Sequence, residues 1–131
     1  MGLQAKFRSL PLSFNQPESA FDASSYTGIG FWAKSGTGRT DVRLKVPDVD
    51  TAPKGGVCTE CYSDFGAKIA LTPVWQYFSF SFSQMKQLPG WGNPRPARID
   101  ASRLFDIQWQ IKDPSAAGDI WVADIQFIGC N

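Results

Sequence analysis

Short runs of alternating hydrophobic and polar residues, each bounded by turn-forming residues, recur along most of the chain. In the run 41–46, apolar residues hold the even positions and charged residues hold the odd ones. Because successive side chains of a strand point to opposite faces of its sheet, this alternation predicts a strand with one buried face. The runs interpreted as strands are 28–34, 41–46, 67–71, 75–82, 104–111 and 118–128. An additional edge strand is expected within 3–14.

This strand pattern sets the expected fold class. The chain contains 12 Gly, 9 Pro and 14% aromatic residues, a composition that disfavours long helices. Seven or eight strands with no helix longer than one turn predict an all-β domain, either a two-sheet β-sandwich or a closed barrel. At 131 residues, we expect the whole chain, 1–131, to form one domain.

Three interruptions of the pattern are informative. The alternation in 118–128 changes parity between Val122 and Ile125, which predicts a β-bulge near Ala123 and Asp124. The segments 47–65 and 88–96 are rich in Pro and Gly without a sustained period, which predicts loops. Loops as long as the first of these often carry function.

Charge and composition exclude several classes of function. The formal charge is +1, from 13 basic and 12 acidic residues, so we expect neither nucleic acid nor an anionic membrane as a partner. The chain has no His, which removes Ser-His, Cys-His and His-zinc chemistry. Its two Glu residues, Glu18 and Glu60, lack the apolar setting of a glycosidase acid. The first residues lack the pattern of a signal peptide, and we expect a module from a longer protein.

The chain contains three cysteines, of which only two can pair within it. Cys58 and Cys61 form a single C-x-x-C motif with no second pair to complete a zinc site. The better interpretation is a tight structural disulfide in a loop of a secreted protein. Cys130 could instead pair with either of them, since connectivity cannot be read from sequence.

The strand parities place several aromatic and amide side chains on the outer faces of the predicted sheets. We expect Trp121 to face outward beside two glutamines of the neighbouring run, whereas Trp75 and Trp109 fall with core residues. Aromatic faces can stack on the C–H faces of a pyranose while amides exchange hydrogen bonds with its hydroxyls. An open groove binding a neutral polysaccharide is therefore predicted. Its candidate residues are Trp32, Tyr77, Gln108, Gln110 and Trp121 on strands, with Tyr62 and Trp91 on loops.

Several segments, in order, resemble the jelly-roll, galactose-binding-like carbohydrate-binding modules attached to bacterial enzymes that degrade plant cell walls. The segment FDASSYTGIGFWAK resembles their early Y-x-G-I-x-F-W-A-K strand, and IWVADIQF resembles their closing I-W-I-D-D-I-x-F strand. Further similar segments are WQYFSFSF, QLPGWG and DIQWQI. The resemblance covers about residues 21–127.

This resemblance implies a two-sheet β-sandwich with jelly-roll topology, no catalysis, and binding of β-glucans. The ligands expected are cello-oligosaccharides, β-1,4 or β-1,3 glucan, mixed-linkage glucan and xyloglucan. Similar modules hold a structural calcium to which an Asp of the closing D-D pair contributes. Here only Asp124 matches that pair, and Asp22 is a further candidate oxygen ligand.

We therefore expect a secreted, monomeric, non-catalytic module that targets an appended glycoside hydrolase to β-glucan. Trp91 and Tyr62 would clamp the chain, the three outward strand aromatics would stack on it, and the two glutamines would bind its hydroxyls. Two alternatives remain. One is a structural or adhesion sandwich whose outward aromatics pack against a neighbouring domain. The other is a small glucanase, which would need paired carboxylates in a cleft.

Overall fold

The computed structural model describes residues 2–5, 9–13, 19–36, 38–112 and 119–130. Within this part of the chain there are eight strands and two single-turn 3-10 helices, Pro53–Gly55 and Phe82–Gln84. The strands are β1 (Gly2–Ala5), β2 (Ser9–Ser13), β3 (Tyr26–Ser35), β4 (Thr40–Val46), β5 (Phe65–Leu71), β6 (Gln76–Ser81), β7 (Asp106–Ile111) and β8 (Ile120–Cys130). No helix in these segments is long and apolar enough to cross a membrane.

The strands form two four-stranded antiparallel sheets that pack face to face. The first sheet has the order β1-β8-β3-β6 and the second has the order β2-β7-β4-β5. Each connection in chain order passes from one sheet to the other, except the one between β4 and β5. This repeated crossing is typical of a jelly roll. The predicted all-β sandwich is confirmed, and the six strand runs agree with the observed strands to within two residues at each end.

The core lies between the sheets and is built from the predicted inward positions. Phe31 of β3 and Trp109 of β7 are fully buried, and their rings meet edge to face with centroids 5.3 Å apart. Val42, Leu44 and Val46 of β4 are also buried, as the alternation in that run predicts. Apolar burial between two sheets is the main term that stabilises such a fold.

The bulge expected in β8 is present at the predicted place. Gly30 pairs with Gln126 and Trp32 pairs with Ala123, so two residues of β8 oppose one residue of β3. Asp124, inside the bulge, has a φ of 52°. The extra residue reverses the parity of the strand, which lets apolar residues on both sides of the bulge face the core.

Three expectations about placement need correction. Trp75 does not belong to the core, because it precedes β6 and is 38% exposed. Trp121 does not stand beside the glutamines, because β8 and β7 belong to different sheets. The segment 3–14 contributes two strands instead of one, β1 at the edge of the first sheet and β2 at the edge of the second. Each difference concerns which sheet a strand joins or where it begins, and alternation alone does not encode either.

Candidate functional site

The outer face of the second sheet carries polar side chains between two loops. On this face Gln108 lies directly across from Lys45, and Gln110 lies directly across from Arg43. The loops 47–64 and 85–96 both contribute residues that line cavities on this face. We call this surface the trough, and it consists of the outer faces of β4 and β7 together with these two loops.

Two adjoining cavities occupy the trough. One, of about 310 Å³, is lined by Tyr62, Asp64 and Gln108 among others. The other, of about 210 Å³, is lined by Tyr62, Asp64, Trp91 and Gln110 among others. Since Tyr62 and Asp64 line both cavities, the two cavities adjoin each other at these two residues. The structure thus brings together four of the predicted residues: Tyr62, Trp91, Gln108 and Gln110.

The floor of the trough holds three charged side chains that are largely buried. Lys45 Nζ lies 3.2 Å from Asp64 Oδ2, and the two side chains are 15% and 2% exposed. Arg43 Nη2 donates to the backbone oxygens of Asp64, at 3.0 Å, and of Lys86, at 2.7 Å. Burial lowers the pKa of Arg43, and the nearby charge of Asp64 acts in the opposite direction. The floor therefore contains a compact network of charged side chains.

Asp64 has spare hydrogen-bonding capacity. Its Oδ2 faces Lys45, but its buried Oδ1 accepts no hydrogen bond from the described residues. A buried carboxylate oxygen without a donor costs free energy, whereas a hydrogen bond to a charged acceptor is among the stronger ones. Asp64 lines both cavities, but its Oδ1 is itself buried, so an O–H or N–H donor of a ligand in the trough would reach this oxygen only after a small shift of the side chain.

Tyr62 is held at the trough in an unusual backbone conformation. Its φ is 74°, in the left-handed region that side chains other than Gly seldom adopt. The preceding residue, Cys61, is disulfide-bonded to Cys58, and the Tyr62 N–H donates to the backbone oxygen of Thr51 at 2.9 Å. The Tyr62 side chain is 63% exposed. The Tyr62 ring is therefore exposed to solvent, while the surrounding loop constrains its backbone. Residues in such uncommon backbone conformations are often found at binding sites.

The loops of Tyr62 and Trp91 are fastened to each other. The N–H groups of Thr59 and Glu60 donate to the backbone oxygen of Asn93, and the Asn93 N–H donates back to Glu60 at 3.1 Å. The Glu60 side chain accepts from the Gly92 N–H. Ser63 Oγ donates to the backbone oxygen of Trp91 at 3.1 Å. The disulfide-bonded turn therefore also sets the position of the Trp91 loop.

The other three predicted residues lie on the opposite side of the molecule. Trp32 and Tyr77 are cross-strand neighbours in the first sheet, with ring centroids 5.6 Å apart. Lys34 Nζ lies 5.2 Å from the ring centroid of Trp75 and 5.3 Å from that of Trp121. We call these five residues the aromatic patch. The sandwich separates the trough from the patch, so a single groove cannot contain all seven predicted residues.

Sequence reasoning missed the floor of the trough. Arg43 and Lys45 fall on the outer face as predicted, but they are held in a buried network instead of solvent. Asp64 was not a candidate, because it ends a loop that shows no alternation. Its position directly before β5, within three residues of Cys61, is the only signal that could have marked it.

The expected disulfide is present and the expected calcium site is not evident. Cys58 and Cys61 are bonded, and Cys130 of β8 is an exposed free thiol. Asp22 Oδ1 accepts from the backbone N and the hydroxyl of Ser24, and these hydrogen bonds lower the pKa of Asp22. Among the described residues, no three Asp, Glu or Cys side chains group as metal ligands, so the carboxylates there do not by themselves fit a calcium site. Calcium at Asp124 and Asp22 stays a prediction.

Comparison with known proteins shows the fold but not a family. No protein-family model matches the sequence, and no curated protein matches it. Among solved structures, the chain is similar to the family 11 carbohydrate-binding module from Clostridium thermocellum in complex with a β-1,3-1,4-mixed-linked tetrasaccharide. The identity is 17%, the TM-score is 0.71, and the match covers 93% of this chain and 68% of that one.

Two further structures have the same fold. The family 11 module of the cellulosomal cellulase Lic26A-Cel5E of Clostridium thermocellum matches at 16% identity and a TM-score of 0.64, over 93% of this chain and 66% of that one. The agarase AgWH50C matches at 11% identity and a TM-score of 0.64, over 99% of this chain and 22% of the agarase. The chain thus spans about two thirds of each module and about a fifth of the agarase. The fold is a jelly-roll sandwich of the kind found in carbohydrate-binding modules.

Proposed function

We propose that the trough binds a β-glucan chain and that the protein is a non-catalytic carbohydrate-binding module. The observation that carries this proposal is the convergence, in one depression, of two aromatic walls, two glutamines and an unpartnered carboxylate oxygen. Strand parity and loop position in the sequence predicted the first four of these residues, and their presence in the lining of two adjoining cavities supports the proposal. The fifth, Asp64, supports the proposal independently of that prediction.

The chemistry of the trough suits a neutral sugar chain. The exposed rings of Tyr62 and Trp91 offer π-faces on which the C–H face of a pyranose can lie. Gln108 and Gln110 lie two residues apart on one face of β7, and their amides can both donate to and accept from hydroxyls. Asp64 Oδ1 can accept only, so it requires a donor such as a sugar hydroxyl. Stacking sets the direction of the chain, and the polar groups select its hydroxyl pattern.

The site is better suited to binding than to hydrolysis. Glycosidases use two carboxyl groups placed on opposite sides of the scissile bond, one of them kept protonated by an apolar pocket. Asp64 is instead ion-paired with Lys45 and lies close to Arg43. Release of reducing sugar from β-glucan by the isolated protein would establish the rival glucanase function.

The wider setting is also a proposal. Similar folds form part of a cellulase and of an agarase, which supports a module that is covalently attached to a secreted glycoside hydrolase. The Cys58–Cys61 disulfide is compatible with an oxidising, extracellular location. We propose mixed-linkage β-glucan as the first ligand to test, because a similar module was solved with a mixed-linkage tetrasaccharide.

The test compares aromatic residues on the two sides of the sandwich. Trp91→Ala and Tyr62→Ala are expected each to weaken binding to mixed-linkage β-glucan by about 2 kcal/mol, as central interface aromatics do. Trp32→Ala in the aromatic patch is the matched control, and it should bind like the wild type. Affinity electrophoresis in β-glucan gels and titration calorimetry measure the affinity of each variant for β-glucan. Loss of binding in the Trp32 variant alone would move the site to the patch and refute the proposal for the trough.

A further inference from the structure

A third cavity, of about 790 Å³, adjoins the trough at Lys86, whose backbone oxygen accepts a hydrogen bond from Arg43. It is formed by the start of β3, the 3-10 helix Phe82–Gln84 and the loop 97–102. None of its lining residues lines either cavity of the trough. We call it the end cavity. Its volume lies within the range of pockets that hold small ligands.

The interior of the end cavity combines an apolar surface with hydroxyl groups. Phe82 and Ile99 are buried at its base, and Tyr26 is half-buried beside them. The Tyr26 ring stacks on Phe127, with centroids 5.3 Å apart, which fixes its orientation. Ser24, Ser83 and Ser102 also line the cavity, and their hydroxyls are hydrogen-bonded to Asp22, Ser81 and Asp100, respectively. An apolar base surrounded by hydroxyls suits a ring that is apolar on one face and polar at its edge, as a pyranose is.

The charges around the end cavity favour an anion. Lys86 and Arg98 both line it, and neither forms an ion pair with a carboxylate of the described residues. Asp100, the one acid in the lining, is already neutralised, because its Oδ2 accepts from Arg103 Nε at 3.0 Å and from Arg103 Nη2 at 2.7 Å. Its Oδ1 accepts from the Ser102 N–H and hydroxyl. The two cations of the cavity therefore outweigh its single acid.

We propose that the end cavity is a second carbohydrate site, selective for a sugar that carries an oxyanion. The sugar ring lies against Tyr26, and its carboxylate or sulfate group faces Arg98 and Lys86. Arg98 suits this role because a guanidinium binds an oxyanion through two parallel N–H donors. This site is independent of the β-glucan proposal, so either could fail without the other.

The test is a titration of the isotopically labelled protein followed by amide NMR shifts. Digalacturonic acid probes the carboxylate, and its methyl ester is the uncharged control with the same rings and linkage. Galactose 6-sulfate tests whether the cavity binds a sulfate group, and galactose is its uncharged control. We expect a charged probe to move the amides of Tyr26 and 97–102 saturably, and its affinity to fall several-fold as salt rises from roughly 50 to 500 mM. The uncharged partners should leave these amides unmoved.

Variants separate this site from general surface charge. Arg98→Gln and Lys86→Gln are each expected to weaken binding about tenfold, and glutamine retains the backbone carbonyl of Lys86 that Arg43 uses. Lys68→Gln removes an exposed lysine of β5 that does not line the cavity, and it should have no effect. Trp91→Ala should also leave this site unchanged.

Four results would overturn the proposal. The first is no shift with either charged probe, and the second is equal shifts with the methyl ester. The third is saturable binding of an acidic hexapeptide at these amides when neither charged sugar binds, which would assign the cavity to a peptide. Equal weakening by Lys68→Gln would show that only overall charge is sensed, and it would refute the site as well.

Discussion

Asp64→Asn is the substitution that tests the floor of the trough most directly. Asparagine has nearly the same shape but no charge, so the trough keeps its form while the acceptor loses its strength. A hydrogen bond to a charged group contributes about 1.5–3 kcal/mol. The asparagine amide retains part of this hydrogen-bond energy. We therefore expect the binding free energy to weaken by about 1.5 kcal/mol, which is roughly a tenfold weaker affinity for β-glucan.

The same substitution should also lower the stability of the fold. Lys45 and Arg43 would lose their counter-charge in a largely buried setting. Removing one partner of a buried pair costs about 3–5 kcal/mol, and the partial exposure of Lys45 places the expected cost near the lower end, about 3 kcal/mol. Titration calorimetry well below the melting temperature measures affinity, and urea unfolding measures stability.

Asp41→Asn provides the matched control. Asp41 is an exposed acid on the same strand as Lys45, and its ion-pair partner is Arg39. It should change neither affinity nor the free energy of unfolding by more than about 0.5 kcal/mol. If Asp64→Asn folds and binds β-glucan as tightly as the wild type, Asp64 Oδ1 does not contact the ligand.

Three further predictions concern the loops and the metal. Replacing both Cys58 and Cys61 by Ser should lower the free energy of unfolding by about 2 kcal/mol and weaken β-glucan binding several-fold, because the turn that positions Tyr62 is released. The control Cys130→Ser should change neither stability nor affinity. Thermal melts measure stability, and calorimetry measures affinity. Burial raises the pKa of Asp48 to about 6 from 3.8, so its proton is bound more tightly in the folded state. The stability it contributes is therefore present below pH 3.8 and is lost as pH rises to about 6. Urea titrations should show the wild type losing up to about 3 kcal/mol relative to Asp48→Asn between pH 4 and pH 7, and parallel curves would contradict the assignment. If calcium is bound, EDTA should lower the melting temperature and added Ca²⁺ should restore it, whereas an unchanged melting temperature would show that calcium does not stabilise the fold.

Much of the fold could be predicted because it depends on local alternation. The buried faces of β3, β4 and β7 follow from side-chain periodicity, and so does the bulge at Asp124, where the apolar positions change parity. Trp109 was placed correctly in the core for the same reason. Trp75 was not, although it has the same parity as the outward-facing Tyr77 two residues later, and both side chains belong to the aromatic patch in the structure.

The candidate site could be predicted only in part. Tyr62, Trp91 and the two glutamines were identified as residue types that suit a sugar, and they do meet in the trough. Trp32 was identified by the same reasoning and lies on the opposite sheet. An outward side chain on a strand can belong to either of two outer faces, and the pattern within the strand is identical in both cases.

The sequence by itself therefore determined the strands, their buried faces, the bulge and the residue types available for binding, since these follow from interactions between near neighbours in the chain. Only the tertiary structure decided which strands share a sheet. That pairing put β4 beside β7, joined the disulfide-bonded turn to the Trp91 loop, and placed Asp64 with Lys45 on the floor of the trough. These are contacts between residues far apart in the chain. These contacts depend on how the two sheets pack their apolar faces against each other. Alternation within a strand requires that its apolar face be buried, but it does not specify which strands are neighbours.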